Sequence, residues 1–292
     1  MEIINTIVGT PLGYLMWLCY KLFSDYGVAI IFFTLLTKVI MFPISLLVQK
    51  NSIKMVKMKP ELDALRYQYI DDQDAFVDAQ AALYKREKYS PMAGVWPLLL
   101  QLPIIFGLID VVYKPLKHLL HMPADVINAF TAKAGEILGV TDLGSSPQLR
   151  VVELLSNPDN IPKFMDLQNS LSGVDVASAI DSIRSVHMNF LGINLAQTPN
   201  IAVLNILILV PILAGLSALV MCVIQNKINV LQIEQSKLSQ LGMTIFMIAF
   251  STYFAFIVPA GVGLYWMWGN LFSRHYLNFK YPMRVYLIPL LS

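Results

Sequence analysis

Long apolar runs alternate along the chain with shorter charge-rich connections, and the lengths of those runs set the first expectation. Residues 27–48, 92–113, 201–225 and 241–258 are each close to the roughly 20 mostly apolar residues that a helix needs to cross a hydrocarbon core of about 30 Å. A further run from 262 reaches that length by extending through Phe279. The pattern predicts an all-α polytopic membrane protein. Its spanning helices fall at 26–50, 91–113 and 201–226, with a helical pair at 241–279 that makes five spans in all. Only Pro259, Ala260 and Gly261 separate the last two, which predicts a tight hairpin turn at one membrane face.

The polar segments carry patterns of their own. Across 51–90, Met55, Met58, Leu62, Leu65 and Tyr69 follow a three-four spacing that gives one apolar stripe on a helix. Asp71, Asp72, Gln73 and Asp74 interrupt it, and a second helical stretch through Phe76, Leu83 and Tyr84 runs back. This is a helical hairpin. It reads equally as a self-packed connector and as a docking arm with an adaptable Met-rich face. In 1–25, Tyr14, Trp17 and Tyr20 recur beside Lys21, as in an amphipathic helix lying flat at the membrane interface. Glu2 is the only early charge and no small-residue cleavage site follows, so a signal peptide is not expected. Residues 114–200 read as short amphipathic helices at 125–138, 148–155 and 174–186, punctuated by Gly, Ser, Pro and Asn, that form a small cap.

Composition agrees with a lipid environment: 56% of the chain is hydrophobic and 14% charged, against about 25% charged in soluble domains. The net charge of +2 says little, but its placement orients the chain. Lys50, Lys54, Lys57, Lys59, Lys85, Arg86 and Lys88 flank the first connection, which the positive-inside rule makes cytosolic. The N-terminus and 114–200 then lie outside, while 227–240 and the tail at 280–292 lie inside. Cys19 and Cys222 fall near opposite faces, too far apart for a disulfide. Leu18 is not the small residue that would mark Cys19 for lipid attachment.

Lys38 is the anomaly. An ionisable side chain at mid-span costs about 2.5–3.5 kcal/mol on insertion scales and normally faces protein or a wet cavity. Thr34, Thr37 and Ser45 share its sector of the helix. Other spans offer Gln101, Ser217, Gln225, Ser251, Thr252, Asn270 and Ser273, but no carboxylate at matching depth, since Asp110 falls near the outer end of its span. A hydrated cavity lined by Lys38, Thr34, Gln101 and Asn270 is the expectation. The plainer alternative is a lysine that snorkels to an interface. His118, His121, His187 and His275 are scattered through flanks and loops and read as solvated or interfacial. No phosphate loop, metal-ligand spacing or nucleophile elbow occurs, so neither enzymatic chemistry nor a cofactor is expected. A small-anion transporter using Lys38 as its binding charge is the alternative function, although the spans carry no inverted repeat. A non-catalytic assembly subunit, with the hairpin as its permanent interface, is a third reading.

Several blocks resemble the YidC-type membrane protein insertases of the Oxa superfamily. These are the run from Ser90-Pro-Met-Ala-Gly-Val-Trp-Pro to Gln101-Leu-Pro-Ile-Ile-Phe, and Val258-Pro-Ala-Gly-Val-Gly-Leu-Tyr-Trp-Met-Trp-Gly-Asn-Leu-Phe. Phe190-Leu-Gly-Ile-Asn-Leu, Lys59-Pro-Glu-Leu with Tyr69-Ile-Asp-Asp, and the first span from Tyr26-Gly-Val to Met41-Phe-Pro-Ile-Ser also match, in the same order. The resemblance implies a bacterial cytoplasmic-membrane insertase and chaperone whose hydrophilic groove opens to cytosol and lipid. Lys38 stands where the family most often has arginine. Nascent membrane proteins and the bilayer are the implied partners, and a Sec translocon, the ribosome or signal recognition machinery are candidates for the hairpin. No sequence-specific nucleic-acid binding is implied. Tyr265 and Trp266 are expected to pack or anchor the fifth helix. Residues 121–186 exceed the family's usual outer loop, and the resemblance gives them no role.

Overall fold

The computed structural model describes residues 9–144, 146–202, 205–228 and 237–278. They form a helical membrane protein whose chain divides into two compact units. One comprises 1–34, 102–214 and 251–266, the other 35–101, 215–250 and 267–292, and the division falls inside each of five helices.

Helix α1, Thr10–Phe23, has Pro11 in its first turn and ends where Ser24 turns left-handed and donates its N–H to the Tyr20 carbonyl. Gly13, Met16 and Cys19 are buried while Tyr14, Leu18 and Leu22 are exposed, so the helix is amphipathic. Burial pushes the Cys19 thiol up, which keeps it protonated and unreactive.

Helix α2, Tyr26–Gln68, begins where Asp25 accepts the N–H of Val28 and runs unbroken for 43 residues, or about 65 Å. The first apolar run and the first arm of the hairpin therefore belong to one continuous helix, although the charge pattern suggests a boundary near residue 50. Pro43 and Pro60 lie inside it. The side chain of Asn51 exchanges two hydrogen bonds with the Ser90 backbone, at 2.7 and 2.9 Å, and Lys54 donates to the Lys88 carbonyl, so polar groups at the proposed boundary tie the hairpin base together.

Helix α3, Gln73–Arg86, is capped by Asp72, which accepts from the N–H of Ala75. Its Phe76 and Leu83 pack on Met58 and Leu62, with Met55, Leu65, Tyr69 and Tyr84 around them. The Met-bearing stripe is thus consumed inside the hairpin, as in the self-packed reading. Arg86 also pairs with Glu61 and holds its carboxyl below the usual range. The pair's contribution is present above the ordinary carboxylate pKa and is lost only as pH falls through the depressed one. Both side chains are exposed, so that contribution is small.

Helix α4, Trp96–Tyr113, follows a short 3₁₀ turn, Pro91–Gly94, and contains Pro103. A single turn, α5 (Pro115–His118), leads into α6 (Ala124–Leu138), α7 (Pro147–Ser156), α8 (Ile161–Met165) and α9 (Val176–Arg184). Phe130, Val151, Leu155, Phe164, Ile180 and Ile183 bury one another, giving this segment a hydrophobic core of its own. Gly139, at φ 67°, ends α6 with its N–H on the Glu136 carbonyl.

The sequence pattern did not signal the short antiparallel ribbon that follows, β1 (Asn189–Phe190) with β2 (Ile193–Asn194). Leu191 and Gly192 both take positive φ, as a two-residue type I′ turn requires. Beyond it, Ala260 and Gly261 donate their N–H groups to the carbonyls of Gln197 and Leu195, so the end of the ribbon caps a helix. Phe190 lies where Gly27 has no side chain: a Cβ at residue 27 would fall 2.1 Å from the Phe190 ring. Gly27→Ala is therefore expected to destabilise the fold by about 1–3 kcal/mol, read as a lower melting temperature in detergent.

Three long helices close the chain: α10 (Leu209–Ile228), α11 (Lys237–Ile257) and α12 (Ala260–Asn278). Helix α10 is preceded by a 3₁₀ turn at Ile206–Ile208, so the regular helix starts later than the apolar run. Only Val258 and Pro259 separate α11 from α12, since Ala260 and Gly261 are already helical. Among the described residues three segments are long and apolar enough to cross a membrane, Tyr26–Gln68, Ile206–Lys227 and Lys237–Ile257, while Leu99–Tyr113 is a shorter apolar helix.

Candidate functional site

Helical spacing puts Thr34, Thr37, Lys38 and Met41 along one face of α2. Thr34, Thr37 and Met41 are buried and Lys38 is half-buried, whereas Leu35, Leu36, Val39 and Ile40 are exposed. In water that exposure would be costly; against lipid it is the expected outer surface. The lysine is thus held on the protein side of its helix.

Lys38 crosses α12 at Gly269. A Cβ built on that glycine would lie 3.6 Å from both the Cε and the Nζ of the lysine. The next residue, Asn270, is buried and donates its amide to the Ser217 hydroxyl of α10 at 3.0 Å. Among the described residues Lys38 makes no ion pair and no hydrogen bond. The lysine thus lies against the glycine of α12, one residue along the chain from Asn270.

The other expected residues are placed differently. The Thr34 hydroxyl donates to the Ile30 carbonyl at 2.7 Å, and Thr34 belongs to the first compact unit rather than to that of Lys38. Gln101 is half-buried on α4 and is not hydrogen-bonded to Lys38. Ser217 and Gly269 are the additional residues, the second invisible to a search for polar groups because its contribution is the absence of a side chain. Gly269→Ala is expected to be tolerated, since a methyl fits at ordinary contact distance, whereas Gly269→Leu displaces the lysine side chain and should lower the melting temperature in detergent.

A second polar cluster lies in the first unit and overturns the reading of His118 as solvated. His118 is buried and its Nε2 lies 2.9 Å from Oδ2 of buried Asp110, whose other oxygen accepts from Lys114. The four-residue spacing of Asp110, Lys114 and His118 was the available signal, although it crosses from the end of α4 into α5. Helix α1 seats on this cluster through its glycines. A Cβ on Gly13 would fall 2.3 Å from Nδ1 of His118, and one on Gly9 3.3 Å from Oδ2 of Asp110. Tyr14 and Trp17 both lie against the ring of His121, at 5.1 and 5.3 Å. Tyr265 is buried with its ring 6.1 Å from Phe33, and Trp266 donates to the Ser251 hydroxyl at 3.2 Å.

The family model described as 60Kd inner membrane protein matches residues 18–277. The chain belongs to this family. The match takes in the first span, the hairpin, the cap and the final helical pair, so Lys38, Gly269 and Asn270 all lie within it. Among the relatives is a membrane protein insertase YidC from Brucella suis biovar 1 (strain 1330), 40% identical over 103 residues, which are 35% of this chain and 17% of that protein. A membrane protein insertase YidC from Methylobacterium sp. (strain 4-46) is 41% identical over 99 residues, 33% of this chain and 15% of that protein. The chain thus aligns with less than a fifth of the length of these relatives.

Proposed function

We propose that this member of the 60Kd inner membrane protein family inserts hydrophobic segments of nascent proteins into a bacterial cytoplasmic membrane and assists their folding. The observation that carries the reading is Lys38, held on the buried face of α2 beside Gly269, with no ion pair among the described residues. The names of the relatives support it. In this reading α4 and α12 complete five spans with α2, α10 and α11. The N-terminus and the cap lie outside, and the hairpin and the C-terminus lie in the cytosol, as the basic residues around 50–59 and 85–88 favour.

The proposed mechanism needs no nucleotide. Polar groups around Lys38, with Gln101 and Thr34 as further lining candidates, keep the site hydrated and shorten the apolar barrier that a substrate's polar segment must cross. The ammonium transiently attracts acidic residues in that segment. Burial of the substrate's apolar helix in lipid, at about 25 cal/mol per Å², drives the process to completion. A photoreactive residue at position 38 in the full chain, reconstituted in phospholipid vesicles during cell-free synthesis, is expected to crosslink to many unrelated membrane proteins. Solute flux through vesicles holding this protein alone, without such crosslinks, would favour small-anion transport instead.

A further inference from the structure

The cap contains a cavity of about 920 Å³ that lies wholly within the first compact unit. That is near the top of the roughly 300–1,000 Å³ range of ligand pockets. Its walls come from one face of α7, the end of α9 and the chain after it, the ribbon, and the segment leading to α10. Nothing in the mechanism above uses it.

Its chemistry is that of binding. Ser156 and Ser185 line it, but each hydroxyl donates to a backbone carbonyl, of Glu153 at 2.6 Å and Ser182 at 2.7 Å, so neither is held by a base as a nucleophile would be. Three asparagines in the wall share one arrangement. The side-chain oxygens of Asn194, Asn200 and Asn205 accept the N–H groups of Ala196, Ala202 and Leu207 at 2.9–3.0 Å. Each amide oxygen is thereby engaged by its own turn, and the NH₂ donors have no partner among the described residues. Arg184 adds a cation with no ion pair among the described residues and Asp181 an acceptor, while Arg150 is already paired with Glu153 at 2.9 Å.

We infer that this cavity binds an extended polar peptide, namely the segment of an inserting protein that has reached the outer side. An extended chain presents a carbonyl about every 3.3 Å, which suits a cavity wall bearing several amide donors without partners of their own, and Asp181 can take a peptide N–H. A sugar would call for flat aromatic faces, and Tyr113 is the one aromatic ring among the lining residues apart from the imidazole of His187. The inference rests on the insertase reading and on the orientation given there. It assigns the cap the task of receiving a polar segment as it leaves the membrane and slowing its return.

The test uses the full chain in phospholipid vesicles and a single-span substrate with a polar translocated tail, with a photoreactive residue at 198 in one sample and at 38 in another. Position 198 is expected to crosslink to the tail and not to the apolar segment. The triple variant Asn194→Asp, Asn200→Asp, Asn205→Asp keeps the oxygens that hold the turns and removes the donors, so the yield at 198 should fall about tenfold while that at 38 is unchanged. Crosslinking from 38 with none from 198 overturns the cap's role and leaves the insertase reading standing. Absence of both overturns the insertase reading and the inference with it. An adduct at 198 that is not protein, or an undiminished yield in the triple variant, also overturns the inference.

Discussion

Lys38→Glu is expected to cut insertion of a substrate with an acidic translocated segment by about tenfold, while Lys38→Arg stays within about twofold of the unaltered chain. Two charges about 4 Å apart interact by about 1 kcal/mol in water and about 4 kcal/mol at an effective dielectric of 20. A hydrated site inside a membrane protein falls between these, and about 1.4 kcal/mol already corresponds to a factor of ten. Reversing the sign turns attraction into repulsion, whereas arginine keeps the charge and adds a planar fork. The side chain crosses α12 at a glycine, so the larger guanidinium has room. A substrate with a neutral tail should be much less sensitive, which separates charge attraction from a folding defect. Equal insertion of the acidic substrate by both variants in reconstituted vesicles would remove the electrostatic role.

Asp110→Ala is expected to be the most destabilising single change in the first unit, by about 3 kcal/mol. Asp110 and His118 are both buried, and removing one member of a buried polar pair leaves the other without its partner. Lys114 is 40% exposed and can turn to solvent, which places the cost at the lower end for such pairs. Helix α1 should loosen at the same time, because Gly9 and Gly13 sit against these two side chains. Thermal unfolding in detergent, with fluorescence from Trp17 as a reporter of α1, would record both effects. The paired change Asp110→Leu, His118→Leu removes both partners and should be milder than Asp110→Ala alone. An unchanged melting temperature for Asp110→Ala would show that the pair contributes nothing net.

Much of this was legible in advance, and the residues show why. Apolar runs report burial in lipid directly, so the all-α membrane class followed from composition and run length. The helices at 124–138, 147–156 and 176–184 lie within two residues of the expected ones, because amphipathic period and turn residues are local signals. Boundaries were harder. The basic residues from Lys50 onward mark the end of the apolar run, but charge does not stop a helix, and α2 continues through them to Gln68. The ribbon at 189–194 was missed because two-residue strands carry too little pattern and its turn depends on a left-handed Leu191.

The sequence by itself determined that the chain is a helical membrane protein and that Lys38 stands inside a long apolar run, where a charge is energetically out of place. Only the tertiary structure decided what surrounds these groups. It set Gly269 against the lysine, joined Asn270 to Ser217, buried His118 on Asp110 beneath Gly9 and Gly13, and turned the methionine stripe of the hairpin inward. The physical reason is that insertion cost depends on each residue and its place along one helix, whereas hydrogen-bond partners and close approaches depend on residues far apart in the chain. For a glycine, the informative quantity is the neighbour that occupies the space its side chain would have filled.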